Sequence, residues 1–206
     1  MFAHQKFKNE SKKAYLIVFL VLLIDQISKI YVKTNFMLHE EVVVTKWFKF
    51  LFVENEGMAW GVELPWIYGK LILTTFRIFA VFGIGYWLWQ SVKEKASNLL
   101  IIAISLILAG AFGNILDSVF YGVIFDHSEG QLATAFSNRA YGTWLYGKVV
   151  DMFYFPIWQG ELPSWLPVFG GKYFTFFNAI FNVADIAIST GVGILIVFNK
   201  KVFGNK

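Results

Sequence analysis

The chain contains no cysteine and only four prolines in 206 residues. Without a thiol there is no disulfide frame, no thiolate nucleophile and no cysteine-ligated metal. Histidine is almost as scarce. His4, His39 and His127 stand apart in polar segments, and His39-Glu40-Glu41 lacks the spacing of a metal motif, so neither metal nor cofactor is expected. Charge is sparse too: 16% of residues are Asp, Glu, Lys or Arg, against about a quarter in a soluble domain. What fills the chain instead is apolar. Hydrophobic residues make up 57% and aromatics 19%, and the mean hydropathy is +0.56, the profile of a polytopic membrane protein. The net charge of +4 does not indicate nucleic acid, because the lysines flank apolar runs rather than share one tract.

Four apolar runs are long enough to span: residues 14–33, 67–90, 98–121 and 176–199. The first follows a basic tail but precedes no small-residue cleavage site, so it reads as a retained helix rather than a signal peptide. Half of the 18 Lys and Arg residues fall in the N-terminal tail, the 91–97 loop and the C-terminal tail, where the only acids are Glu10 and Glu94. The positive-inside rule therefore predicts both termini in the cytoplasm. Residues 42–53, rich in β-branched and aromatic side chains, predict one or two strands on the outer side. No internal repeat is evident, and the whole of 1–206 reads as one integral membrane domain.

The chemistry-bearing residues interrupt these runs. Asn178, Asn182, Asp185 and Ser189 fall at i, i+4, i+7 and i+11, one polar stripe if the segment is helical. A carboxylate at membrane depth costs about 2.5–3.5 kcal/mol on insertion scales and marks a functional site. Asp25 and Lys29, an acid four residues before a base, read as a mutually neutralising structural pair. Asn114 and Asp117 read equally well as interhelical hydrogen-bonding groups or as substrate contacts. Gly110, Gly113, Gly191 and Gly193 read as close-packing positions, and Arg77 as a cation that must be neutralised or must snorkel. With the orientation above, these polar groups from three helices share the outer half of the membrane. Asp185 needs a partner, because two carboxyl groups that share a proton can serve as base and acid in peptide hydrolysis. The outer segment offers Asp126 and Asp151. The rival reading is a proton-coupled carrier, disfavoured by the lack of duplicated halves.

Five blocks in order carry a family likeness: Asp25-Gln26-Ile27-Ser28-Lys29, Asn55-Glu56-Gly57-Met58-Ala59-Trp60-Gly61, Gly113-Asn114-Ile115-Leu116-Asp117, Val149-Val150-Asp151-Met152 and Phe181-Asn182-Val183-Ala184-Asp185. With the four spans they make the chain resemble bacterial lipoprotein signal peptidase, signal peptidase II, over essentially its whole length. The resemblance implies an intramembrane aspartyl endopeptidase in the bacterial inner membrane, acting as a monomer. It implies cleavage of prolipoproteins on the amino side of a diacylglyceryl-modified cysteine. Carried over by motif, Asp151 and Asp185 look like the catalytic pair. Asn55, Gly57, Asn114, Asp117, Asn182 and Ala184 look like the substrate-binding shell, and Asp25 and Lys29 like its support. A small β-cradle would comprise residues 40–66 and part of 122–175.

Two departures stand out. Ser118 occupies the place where the family usually has an arginine, so Lys29 or Arg139 is expected to supply the cation. Residues 127–146 and 156–172 are insertions. Both Gly122–Asp126 and Gly147–Asp151 fit the family's catalytic pattern. An antiparallel ribbon setting Asp126 opposite Gly147 and Asp151 opposite Gly122 would return Asp151 to the membrane mouth, which favours Asp151.

Overall fold

The computed structural model describes residues 2–56 and 68–204. The second-span start at 67, the expected cradle residues 57–66 and Gly57 itself lie outside the described residues. Helix α1 (Phe2–Asn35) leads to strands β1 (Glu41–Thr45) and β2 (Phe48–Asn55); α2 (Gly69–Lys93) and α3 (Asn98–Leu116) follow. Helix α3 continues through a π-helical turn (Asp117–Tyr121) into α4 (Gly122–Ile124). After a long loop come β3 (Val149–Tyr154), β4 (Trp158–Glu161), β5 (Tyr173–Phe176), β6 (Ile180–Phe181), α5 (Val183–Val197) and α6 (Asn199–Phe203).

Among the described residues, three helical stretches are long and apolar enough to cross a membrane: Asn9–Asn35, Gly69–Lys93 and Asn98–Ile124. Their outward faces carry large apolar side chains, with Phe76, Phe79 and Phe82 each about 70% exposed. Water does not tolerate such a continuous surface, and lipid does.

The fourth apolar run folds differently from the expected helix over 176–199. Helix α5 covers only Val183–Val197, about 22 Å at helical rise, and is preceded by strand rather than helix. The cause is local. Asn182 is the N-cap: its side chain accepts from the Asp185 backbone N–H, and the Asp185 carboxylate accepts from the Asn182 N–H. This reciprocal capping box stops the helix there. Ahead of it, Ile180 and Phe181 pair with Tyr154 and Phe153 of β3. Asp185 therefore sits in the first helical turn rather than deep in a span. Asn178 leaves the stripe altogether and accepts from the Tyr154 hydroxyl at 3.0 Å.

Glycines let the helices close on this point. A Cβ on Gly110 of α3 would overlap the Ala184 carbonyl of α5, and one on Gly191 of α5 would lie 2.6 Å from the Ala103 carbonyl of α3. Gly113 admits the Asp25 carboxylate in the same way. Gly193 faces open space, so the expected packing role does not extend to it. An apolar cluster at one end of the bundle joins Ala14, Leu88, Val92, Leu100 and Val202, which brings the two terminal segments and the 94–97 turn together.

At the other end lies a sheet of order β1-β2-β3-β6. The expected strands in 42–53 are β1 and β2, and the strand from the later segment is β3. The proposed ribbon between 122–126 and 147–151 is absent among the described residues. Strand β3 pairs instead with β2 and β6, and Phe125 bridges to Ala135. Gly147 reaches Ser118 through its N–H at 2.9 Å, and Gly142 reaches Gly122 likewise. The 127–146 insertion thus closes as a loop onto the π-turn and α4, and β3 begins two residues after Gly147 is held at Ser118. The 156–172 insertion contributes β4, which pairs with β5 just beyond its end.

Candidate active site

Strand β3 carries Asp151 to the mouth of the bundle, where Val53 of β2 is its register partner. Asn55, two residues further along β2, lies diagonally across and donates to Asp151 Oδ2 at 3.1 Å. Asn182 Nδ2 donates to Asp151 Oδ1 at 2.7 Å. Asp185 is held from two sides: Asn114 Nδ2 donates to Oδ1 at 3.0 Å and the Asn182 N–H to Oδ2 at 3.1 Å. Asn182 therefore touches both carboxylates, one through its side chain and the other through its backbone. Asp151, Asp185, Asn55 and Asn114 line one cavity of about 620 Å³, together with Arg77 and Ser189.

Behind this pair lies a fully buried charge cluster. Lys29 Nζ is 2.9 Å from Asp25 and 2.8 Å from Asp117, and all three side chains are wholly shielded from solvent. The i, i+4 pair expected from sequence is thus a triad across α1 and α3. Each carboxylate has a second task. Asp25 Oδ1 accepts from the Ala184 N–H at 2.9 Å, one residue before Asp185. Asp117 Oδ2 accepts from the Val150 N–H at 3.3 Å, one residue before Asp151. Lys29 also donates to Asn114 Oδ1 at 2.8 Å, turning the Asn114 amide nitrogen toward Asp185. One buried lysine and two buried acids thereby set the backbone at both aspartates.

Asp117, Asn182 and Ala184 are each fully buried, and no side chain of the three lines the cavity, whereas Asn55 and Asn114 do. Gln26 was not singled out from sequence. Its amide donates to Asp25, Asp117 and the Gly113 carbonyl, and its oxygen accepts from Tyr121. A lone neutral amide beside an acid gives little signal in sequence. Asp126 lies away from the site, where its carboxylate accepts from the Thr134 N–H in the insertion. Ser118 is fully buried and donates to the Asn114 carbonyl, which leaves an arginine no room there. Of the two cations proposed to replace it, Lys29 lies in the buried triad and Arg139 is exposed on the insertion.

Burial pushes the Asp151 carboxyl up to about 7, the neighbouring charge of Asp185 pushes it further, and the Asn55 and Asn182 amides partly oppose the rise. Its ordinary value is 3.8, so between these values the folded protein holds a proton that the unfolded chain releases. Asp151 therefore costs stability progressively as pH rises from about 4 to 7, and at a constant level above that. The melting temperature of Asp151→Asn relative to wild type is expected to be higher at pH 8 than at pH 5. A difference independent of pH would show that Asp151 ionises as it does in water.

A family model described as Signal peptidase (SPase) II matches residues 17–200. A lipoprotein signal peptidase of Porphyromonas gingivalis is 47% identical over 190 residues, covering 91% of this chain and 83% of that protein. A lipoprotein signal peptidase of Amoebophilus asiaticus is 39% identical and covers 92% of this chain and 78% of its own length. In shape, a solved bacterial membrane enzyme superposes with a TM-score of 0.61 at 23% identity, over 95% of this chain and 92% of that one. The fold is therefore shared with that enzyme, and by its sequence the chain belongs to the signal peptidase II family of proteases.

Proposed function

We propose that this protease is an aspartyl endopeptidase that removes the signal peptide from diacylglyceryl-modified prolipoproteins, with Asp151 and Asp185 as its catalytic pair. The observation that carries the reading is the Asn182 bridge, which holds both carboxylates on the wall of one cavity. With Asp151 raised to about 7, the pair carries one proton near neutral pH. The ionised member takes a proton from a water, and that water attacks the scissile carbonyl carbon. The protonated member gives its proton to the carbonyl oxygen, forming a neutral gem-diol. Collapse of the diol breaks the C–N bond. The proton gained by the base passes to the leaving amine of the cysteine, one diol hydroxyl returns a proton to the other aspartate, and the new carboxyl stays on the signal peptide. Asn55 and Asn114 hold the two carboxylates within reach of each other through that cycle. In this reading the lipid-bearing substrate enters from the membrane, and Asp25 and Lys29 act only as supports.

The same reading places the enzyme in the inner membrane as a monomer, with α5 as a short fourth span and both termini cytoplasmic. The half of the basic residues that lies in the tails and the 91–97 loop supports that orientation. Reporter fusions after residue 95 and at the C-terminus are expected to report cytoplasm, and fusions near 130 or 160 the outside. An outside C-terminus would remove the four-span topology. For the catalytic pair, Asp151→Asn is expected to abolish cleavage while Asp126→Asn keeps most of it. The reverse pattern would move the catalytic role to Asp126.

A further inference from the structure

One charged side chain in the cavity has no part in the chemistry above. Lys70, Thr74 and Arg77 fall at i, i+4 and i+7 on α2 and so share a face. The first two are spent on the outer cap of the protein: Lys70 donates to the Glu56 carbonyl and pairs with its carboxylate at 3.3 Å, and Thr74 donates to the Leu145 carbonyl at 3.1 Å. Arg77, one turn further in, lines the cavity with Asp151 and Asp185. The Asp185 charge acts on it, but among the described residues it makes no ion pair and no hydrogen bond. A guanidinium with five N–H donors thus lines a cavity at membrane depth, where an unspent cation is costly and marks function. Meanwhile Ser118, where the family resemblance leads one to expect arginine, is sealed against the Asn114 carbonyl.

We infer that Arg77 is a substrate-binding residue, donating its guanidinium N–H groups to a carbonyl oxygen of the bound precursor and so supplying from α2 the cation that position 118 lacks. This rests on the peptidase reading above. Carbonyl oxygens are the fitting ligand chemistry. The neighbouring carboxylates already repel anions, and a planar fork of donors matches sp² oxygen. The precursor offers such oxygens in two places, the peptide backbone of its signal segment and the ester groups of its diacylglyceryl chain.

The test uses the purified full-length protein, Arg77→Gln and Arg77→Lys, and two synthetic lipidated precursors, one with ester-linked and one with ether-linked glyceryl chains. Arg77→Gln is expected to raise KM and lower kcat/KM at least about tenfold, the loss of a charge-assisted hydrogen bond. The melting temperature and the pH profile of kcat should stay in place, and Arg77→Lys should recover part of the loss. If the ester oxygens are the ligand, wild type on the ether precursor falls to the level of Arg77→Gln, which itself no longer distinguishes the two. If backbone oxygens are the ligand, the variant loses equally on both. An unchanged kcat/KM overturns the inference. So does a loss that follows the melting temperature, or a shifted pH profile with unchanged KM, which would make Arg77 a counter-charge for Asp185. A wild-type protein that cleaves neither precursor contradicts the peptidase reading instead. In that case a labelled ester precursor binding equally to wild type and Arg77→Gln would overturn the inference as well.

Discussion

Asp185→Asn is expected to insert and fold, yet to cleave a lipidated precursor at least about a hundredfold and up to about ten-thousandfold more slowly, the range that positioned acid–base groups contribute. The substitution keeps the size of the side chain but cannot exchange the proton. It also has one oxygen where the wild type has two, each accepting a hydrogen bond, from Asn114 and from the Asn182 N–H. One donor is left facing an amide nitrogen, at about 1–3 kcal/mol, so a modest fall in melting temperature accompanies the loss of activity. In the proposed mechanism the two aspartates act as a unit, so adding Asp151→Asn should slow cleavage little further. Steady-state cleavage by the single and double variants checks this. Near-normal turnover by Asp185→Asn would end the aspartyl account.

The second large effect belongs to Lys29. Lys29→Met removes the cation that pairs with both Asp25 and Asp117, which are then buried together without it. Breaking a buried ion pair from one side costs about 3–5 kcal/mol, and here two acids lose the same partner. Activity should fall with stability, since Asn114 loses the lysine that orients it and the Ala184 and Val150 anchors loosen. Removing one of the two stranded charges should help: Lys29→Met with Asp117→Asn is expected to be more stable than Lys29→Met alone. Unfolding midpoints in detergent measure this. Additive losses would show that the three side chains do not form one electrostatic unit.

Sequence revealed the helical frame because long apolar runs and flanking lysines are one-dimensional signals, and α1, α2 and α3 lie within a few residues of their expected bounds, α1 apart at its N-terminal end. It also revealed Asp25, Lys29, Asn114, Asp117, Asn182 and Asp185, because polar groups in apolar runs are conspicuous for their cost. It misjudged the segment before α5. Residues 176–182 are as apolar as a helix, and only pairing with β3 and the capping by Asn182 make them strand and stop. The same long-range pairing defeated the expected ribbon. Strand β3 took β2 as its partner, which sequence proximity does not suggest. Arg77 looked like a cation to be hidden. Its place on the cavity wall depends on how α2 leans on the cap through Thr74, a contact 71 residues apart in sequence.

The most direct measurement is mass spectrometry of the products when the purified protein is given a diacylglyceryl-modified precursor peptide. The expected result is one cut, on the amino side of the lipidated cysteine, made by wild type and Asp126→Asn and absent with Asp151→Asn and Asp185→Asn. Cleavage elsewhere, or the same cut persisting in both Asp151→Asn and Asp185→Asn, would contradict the account.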